Sequence, residues 1–335
     1  MDGVRSVPSP PRRRRAGPRH SAATLRAGAG AQRRLSVAVA LTANLIVAAA
    51  KLGAGLLTGS SALLAEAAHS GADSVNQVLL GVSLRRSSRP PDAEHPFGYG
   101  GARFLWAFLA AISSFLIGGC VSVSLAISDL AHPHPLEHLG TAWVVLGIAA
   151  LADGTSLLQT LRQARRSAAS WNQTSTIAYL RRTSEPTLRA LVVEDTAALV
   201  GVALAASGLL VRELGGPESS DAIASLLIGL LLGATAIGLA RPLAELLIGK
   251  SLAPERVRLA RETLASSPAV DEVLEMYTLH VAPEEAILAA KVHPAADQTA
   301  ERLAALLDEL DQRLRRAKPE LGEVFIDVTA HRRAG

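Results

Sequence analysis

One cysteine, Cys120, is present among 335 residues. That excludes an intrachain disulfide framework and any Cys-rich zinc site. Lysine is scarce as well: Lys51, Lys250, Lys291 and Lys318 are the only four among 34 basic residues. The positive charge is therefore almost all arginine, which reads as coding composition and not as function. No HExxH pattern and no nucleophile–base constellation occurs, so a membrane-bound metallohydrolase lacks its catalytic parts. No internal repeat stands out. No cleavable apolar leader precedes the first long apolar run, which is expected to serve as its own signal.

What is present is apolar sequence. The chain is 49% hydrophobic with mean hydropathy +0.26, while 19% of residues are charged, enough for a soluble part. A membrane span needs roughly 20 largely apolar residues. Six stretches qualify, at about 35–58, 62–84, 104–128, 140–163, 187–211 and 221–247. The second is the weakest by hydropathy because it carries Glu66, His69, Asp73, Asn76 and Gln77. It can still span if that face meets other helices. Arg85, Arg86, Arg89 and Arg103 flank the second-to-third connection, and Arg162, Arg165, Arg166, Arg181, Arg182 and Arg189 the fourth-to-fifth. Residues 129–140 carry no Lys or Arg, and the fifth-to-sixth loop only Arg212. The positive-inside rule then puts both termini in the cytoplasm, as an even number of spans requires. Residues 1–34 hold nine arginines against one acid, Asp2, with four prolines. They are expected to form a disordered basic tail that sets topology; a transit peptide or a nucleic-acid-binding arm are the alternatives.

From about residue 251 the pattern changes. Pro254–Ser267 predicts an amphipathic helix. Val270–Val281 and Ala286–Val292 predict strands around a Pro283-Glu284-Glu285 turn. Ala300–Arg316 predicts a helix with Leu303, Leu306, Leu307, Leu310 and Leu314 on one stripe, and Val324–Val328 a last strand. The order α-β-β-α-β suits a small α+β sandwich in residues 251–335.

Two acidic clusters lie inside the apolar stretches. His69 and Asp73 sit at i and i+4, hence on one helix face, with Glu66 and Asn76 extending it. Glu194 and Asp195 are adjacent and point about 100° apart on a helix. Ionisable groups at bilayer depth are costly and mark a pathway or site. A His with carboxylates can hold a divalent transition metal. The alternatives are a polar stripe satisfied by helix–helix hydrogen bonds, or carboxylates facing a wet cavity. Lys51, in the first stretch, either snorkels or neutralises a carboxylate.

Several motifs in order make the resemblance specific: Ala68-His69-Ser70 with Asp73, the connector His95-Pro96-Phe97-Gly98-Tyr99-Gly100 followed by Arg103, and Asp221-Ala222-Ile223-Ala224-Ser225. The chain resembles the cation diffusion facilitators over about residues 35–330. Val193–Ala198 and Leu288–Val292 are similar to the branch of the ninth mammalian zinc transporter. The resemblance implies six transmembrane helices in residues 35–250, a cytoplasmic ferredoxin-like domain, a homodimer and exchange of metal for protons. It implies that His69, Asp73 and Asp195 are metal ligands. The first ligand position of the fifth span is Leu191, so Glu194, Glu66 or water completes the shell, Glu194 being favoured. Asp92 and His95 match a loop site, but Tyr99 stands where a second His can occur, so His95 is expected to bond locally. In the tail domain His280, His293, Asp327 and His331 are candidates, with Lys291 unfavourable to a cation there. The family's ion pair between third and sixth spans has Gly101 at its basic position; Arg103 with Asp221 is the expected substitute.

The expected function is secondary transport of a divalent cation, with Zn²⁺ as transported substrate because imidazole suits borderline ions. The chain is not expected to be an enzyme, and neither a cofactor nor nucleic acid is expected as a partner. The expected setting is multi-pass in lipid, in a plasma membrane of bacterial type. A non-transporting membrane scaffold, or a carrier of Fe²⁺, Co²⁺ or Mn²⁺, are the competing readings.

Overall fold

The structure is a computed structural model. It describes residues 41–42, 44–170, 175–177, 180, 186–283, 285–296, 298–317 and 320–329; the expected basic tail and His331 lie outside these. Residues 44–335 form one compact unit; of residues 1–43 only 41 and 42 are described, both helical. Six helices come first: α1 (Asn44–Thr58), α2 (Ser61–Ser87), α3 (Ala102–Ala131), α4 (Leu139–Ser170), α5 (Pro186–Glu213) and α6 (Ser220–Ile248). Among the described residues four helices are long and apolar enough to cross a membrane, α3 to α6. As described, α1 is too short for that count, and α2 falls short in hydropathy because Glu66, His69, Asp73, Asn76 and Gln77 lie within it.

Local chemistry sets the boundaries. Gly59 takes the left-handed turn (φ 72°) between α1 and α2, a conformation glycine adopts without steric cost. Ser60 then caps α2 by accepting from Leu63 N at 3.1 Å. Gly249 (φ 121°) ends α6 and redirects the chain. A seven-residue π-helical segment, Ser114–Cys120, interrupts α3. There Gly118 and Gly119 meet Leu232, Gly229 and Gly233 of α6 closely enough that side chains would clash or crowd. Small residues permitting close helix approach are typical of packing in lipid.

The bundle is apolar outside and small or polar inside. Ile46, Leu56, Leu57, Ile127, Val144 and Leu151 are exposed, whereas Ala54, Ala62, Ala65, Ala142, Ala149, Ala197, Ala205 and Ala224 pack its core. α2 is central, contacting α3, α5 and α6.

The C-terminal part follows the expected order: α7 (Pro254–Ala265), β1 (Val270–Ala282), β2 (Glu285–Pro294), α8 (Ala300–Ala317) and β3 (Leu321–Val328). β1 pairs antiparallel with β2, and β2 parallel with β3 across the α8 crossover. Alternate residues of β2, Ala286, Leu288, Ala290 and Val292, are buried. They meet Ala260 and Leu264 of α7 and Leu306, Leu310 and Leu314 of α8. The α2–α3 connector leans on this domain: Gly100 and Gly101 lie against Val281 and Ala282, and Phe97 meets Phe325 edge-on at 6.4 Å.

Candidate functional site

The expected ligands lie where α2 and α5 pass through the bundle. His69, 4% exposed, has Nε2 3.6 Å from Asp73 Oδ2 and no hydrogen-bond partner on that nitrogen. The i, i+4 spacing on α2 explains the pairing. Across from them Asp195 accepts from Thr160 Oγ1 at 2.6 Å and from Ser156 Oγ at 3.0 Å, both on α4. Glu194 points elsewhere, as its 100° offset requires: Asn76 Nδ2 donates to its Oε1 at 3.2 Å and to Ser114 Oγ at 2.7 Å. Among the described residues no three of His, Cys, Asp and Glu converge as a ready-made metal cage. Of the four expected ligands, His69 and Asp73 are paired with each other, while Asp195 is held by two hydroxyls.

Glu194 and Asn76 stand in the wall of a cavity of about 350 Å³ that runs along α2, α3, α5 and α6 to the C-terminal domain. Leu191 lines it too, so the position without a ligand faces open space. Arg189, Lys250 and His280 also line it.

The other end of the bundle is tied shut. Asp221, at the start of α6, accepts from Ser60 Oγ (2.8 Å), Ser61 Oγ (3.0 Å) and Ala62 N (3.1 Å) at the start of α2. Ser61 Oγ also reaches Asp129 Oδ2 of α3 at 2.8 Å. The expected pairing of Asp221 with Arg103 is therefore wrong. Asp129 and Arg103 lie at opposite ends of α3, about 39 Å apart at the helical rise, and Asp221 is at the Asp129 end.

Sequence reading also missed a stripe on α4. Asp153, Ser156 and Thr160 occupy i, i+3 and i+7, and all three side chains meet charged partners. That polar spacing within an apolar run was the available signal. Lys51 turns out to be fully buried, its Nζ 2.9 Å from Glu66 Oε2, 3.0 Å from Ser70 Oγ and 3.4 Å from Asp153 Oδ2. It neutralises carboxylates and does not snorkel. Opposite it, Gly201 leaves room for Glu66 Oε1, with which any Cβ there would collide.

In the connector, Asp92 accepts from Tyr99 OH (2.7 Å) and from the backbone N–H groups of His95 (2.8 Å) and Glu94 (3.1 Å). The Tyr99 bond, then the backbone bonds, hold the Asp92 carboxyl below its ordinary range, and the same bond raises Tyr99. His95 stacks on Tyr99 at 4.1 Å between ring centres. This is a self-satisfied loop. In the tail domain His293 Nδ1 lies 3.6 Å from Asp271, while Lys291 lies 3.7 Å from Glu275 and is in register with Asp327. His280 is near the far end of β1, opposite Ala286, whereas His293 is opposite Glu272. The described candidates there are thus not brought together.

A bundle with an apolar exterior and charged groups inside, four of its helices long and apolar enough to cross a membrane, is that of an integral membrane protein. The family model described as the cation efflux transmembrane domain matches residues 37–248, and the chain belongs to that family of transporters. It is 34% identical to the Xenopus laevis protein "Proton-coupled zinc antiporter SLC30A9, mitochondrial" over 66% of this chain and 39% of that protein. It is 32% identical to metal tolerance protein C4 of Arabidopsis thaliana, over 74% of this chain and 54% of that protein. With the manganese efflux system protein MneP of Bacillus subtilis (strain 168) it shares 28% identity over 65% of this chain and 70% of that one. The chain spans about 40–54% of the length of the first two.

Proposed function

We propose that this chain moves divalent metal cations across a membrane, with Zn²⁺ the favoured cargo and protons exchanged against it. The observation that carries the reading is the pair of buried His69 with half-buried Asp73, the imidazole nitrogen unpartnered, with Asp195 on the facing helix. Asp73 and Asp195 supply anionic oxygens and His69 a borderline nitrogen, a donor set suited to Zn²⁺. Glu194 lies at the cavity wall as the fourth candidate or as a residue met on entry. Binding needs neutral imidazole and ionised carboxylates, so metal and protons compete for the same atoms. That competition is the coupling.

The cavity supports access from the side of the C-terminal domain, and the Asp221 tie supports closure of the opposite side. Alternating access then requires the Asp221–Ser60–Ser61 contacts to part while the cavity collapses. Residues 35–250 are read as six spans, α1 and α2 included, since α2 is shielded by α3, α5 and α6. The α-β-β-α-β domain of residues 251–335 is read as ferredoxin-like and cytoplasmic, with both termini on that side of a bacterial-type plasma membrane, residues 1–34 as a basic tail, and the working unit as a homodimer.

The test is Zn²⁺ flux into proteoliposomes under an imposed pH gradient, wild type against Asp73→Ala. The expected result is flux that needs both the gradient and Asp73. Undiminished flux in a folded Asp73→Ala protein overturns the site, and absence of Zn²⁺ flux in wild type overturns the cargo.

A further inference from the structure

Lys51 engages two of the carboxylates that crowd the bundle. Its ammonium has three hydrogens and three acceptors, Glu66 Oε2, Ser70 Oγ and Asp153 Oδ2. Both Lys51 and Glu66 are fully buried, and the contacts tie α1 to α2 and α4. Ser70 follows His69 directly in sequence. Glu66 shares the α2 face of His69 and Asp73 at i, i+3 and i+7. Its Oε1 has no hydrogen-bond partner and lodges in the space that Gly201 leaves open. A buried carboxylate with a spare oxygen, one turn from a histidine, is chemically fit to ligate a metal. Asp153, one turn before the serine that holds Asp195, is fit as well. The tethered ammonium occupies both.

We propose that Lys51 is a specificity-determining residue: a resident cation that reserves Glu66 and Asp153, so that the transported ion meets His69 beside Asp73 and Asp195 and not an oxygen-rich shell. This rests on the transport-site reading above. Added carboxylates shift a site toward hard ions such as Mn²⁺, and imidazole shifts it toward Zn²⁺. The ammonium also repels a second divalent ion, keeping the site to one.

The experiment is equilibrium binding of Zn²⁺ and of Mn²⁺ to the purified full-length chain in lipid nanodiscs, each by competition with a fluorescent chelator. Glu66→Gln and Asp153→Asn are expected to weaken Zn²⁺ binding by less than Asp73→Asn, which loses more than about tenfold. Lys51→Met is expected to shift the ratio of affinities toward Mn²⁺ by about tenfold or more. The double variant Lys51→Met/Glu66→Gln is expected to move it back. A wild-type ratio in Lys51→Met overturns the proposal. So does a loss in Glu66→Gln or Asp153→Asn equal to that in Asp73→Asn, which would make those carboxylates ligands. If Lys51→Met does not fold, the two carboxamide variants decide alone. Wild type that binds neither metal removes the transport-site reading and this inference with it; wild type that binds, with an unmoved ratio, removes only this inference.

Discussion

The membrane bundle encloses charge where the C-terminal domain does not. In the domain the largest fully enclosed side chains are Leu264, Leu288, Val292, Leu310 and Leu314; in the bundle Lys51, Glu66 and Asp221 join Leu63, Leu209 and Ile228. Conversely, Leu151 of α4 is 72% exposed. The difference follows from the surroundings. Water drives leucine inward in the domain, whereas lipid gives leucine no reason to leave the surface and penalises any charge left there. Cohesion in the bundle must then come from close alanine and glycine packing and from polar ties. Those ties are Lys51 with Glu66 and Asp153, and Asp221 with Ser60 and Ser61.

The hardest test of this contrast is to remove one member of a buried pair. Lys51→Met leaves Glu66 charged and uncompensated, which costs about 3–5 kcal/mol. Adding Glu66→Gln should recover most of that loss. Thermal unfolding in a single detergent or nanodisc preparation measures both. Equal stabilities for single and double variants would show that Glu66 does not depend on Lys51.

Next in size is the surface itself. Leu151→Lys should cost about 2.5–3.5 kcal/mol of membrane insertion, read by a glycosylation-reporter insertion assay. Tyr277→Lys in β1, at a residue 65% exposed, should change stability by less than about 0.5 kcal/mol. Comparable penalties at both positions would mean that α4 faces water or another subunit at Leu151.

The same contrast explains which features were legible in the sequence. The domain's helices and strands could be read because a face in water must alternate, as Leu306, Leu310 and Leu314 do in α8. The His69–Asp73 spacing was legible because it is local to one helix. The partners were not. Lys51 finds Glu66 fifteen residues on and Asp153 a hundred and two residues on, and no pattern within α1 announces either. Asp221 was assigned to Arg103 by analogy with a charge pair, although Arg103 and Asp129 cap opposite ends of α3 and Ser61 links Asp221 to Asp129. The α4 stripe was overlooked because Asp153, Ser156 and Thr160 are diluted among apolar neighbours, and only their three-dimensional partners give them weight.

The smallest effect concerns the one described histidine that lines the cavity from the domain side. His280 is held below the ordinary histidine value of 6.5 by burial first and then by the positive charge of Arg256. Its neutral form is the one that folding favours. Between the depressed folded value and 6.5 the unfolded chain binds more protons than the folded one. The stability this residue contributes is therefore full above 6.5 and is lost as pH falls through the folded value. Amide hydrogen exchange in β1 and β2, corrected for intrinsic rates, should show protection falling as pH drops below the ordinary histidine value of 6.5. His280→Gln should flatten that slope while leaving protection of the bundle helices unchanged. A slope that survives the substitution would show that His280 is not its source. Bundle protection that stays put while the β1 and β2 slope flattens would show that the two regions answer acid independently.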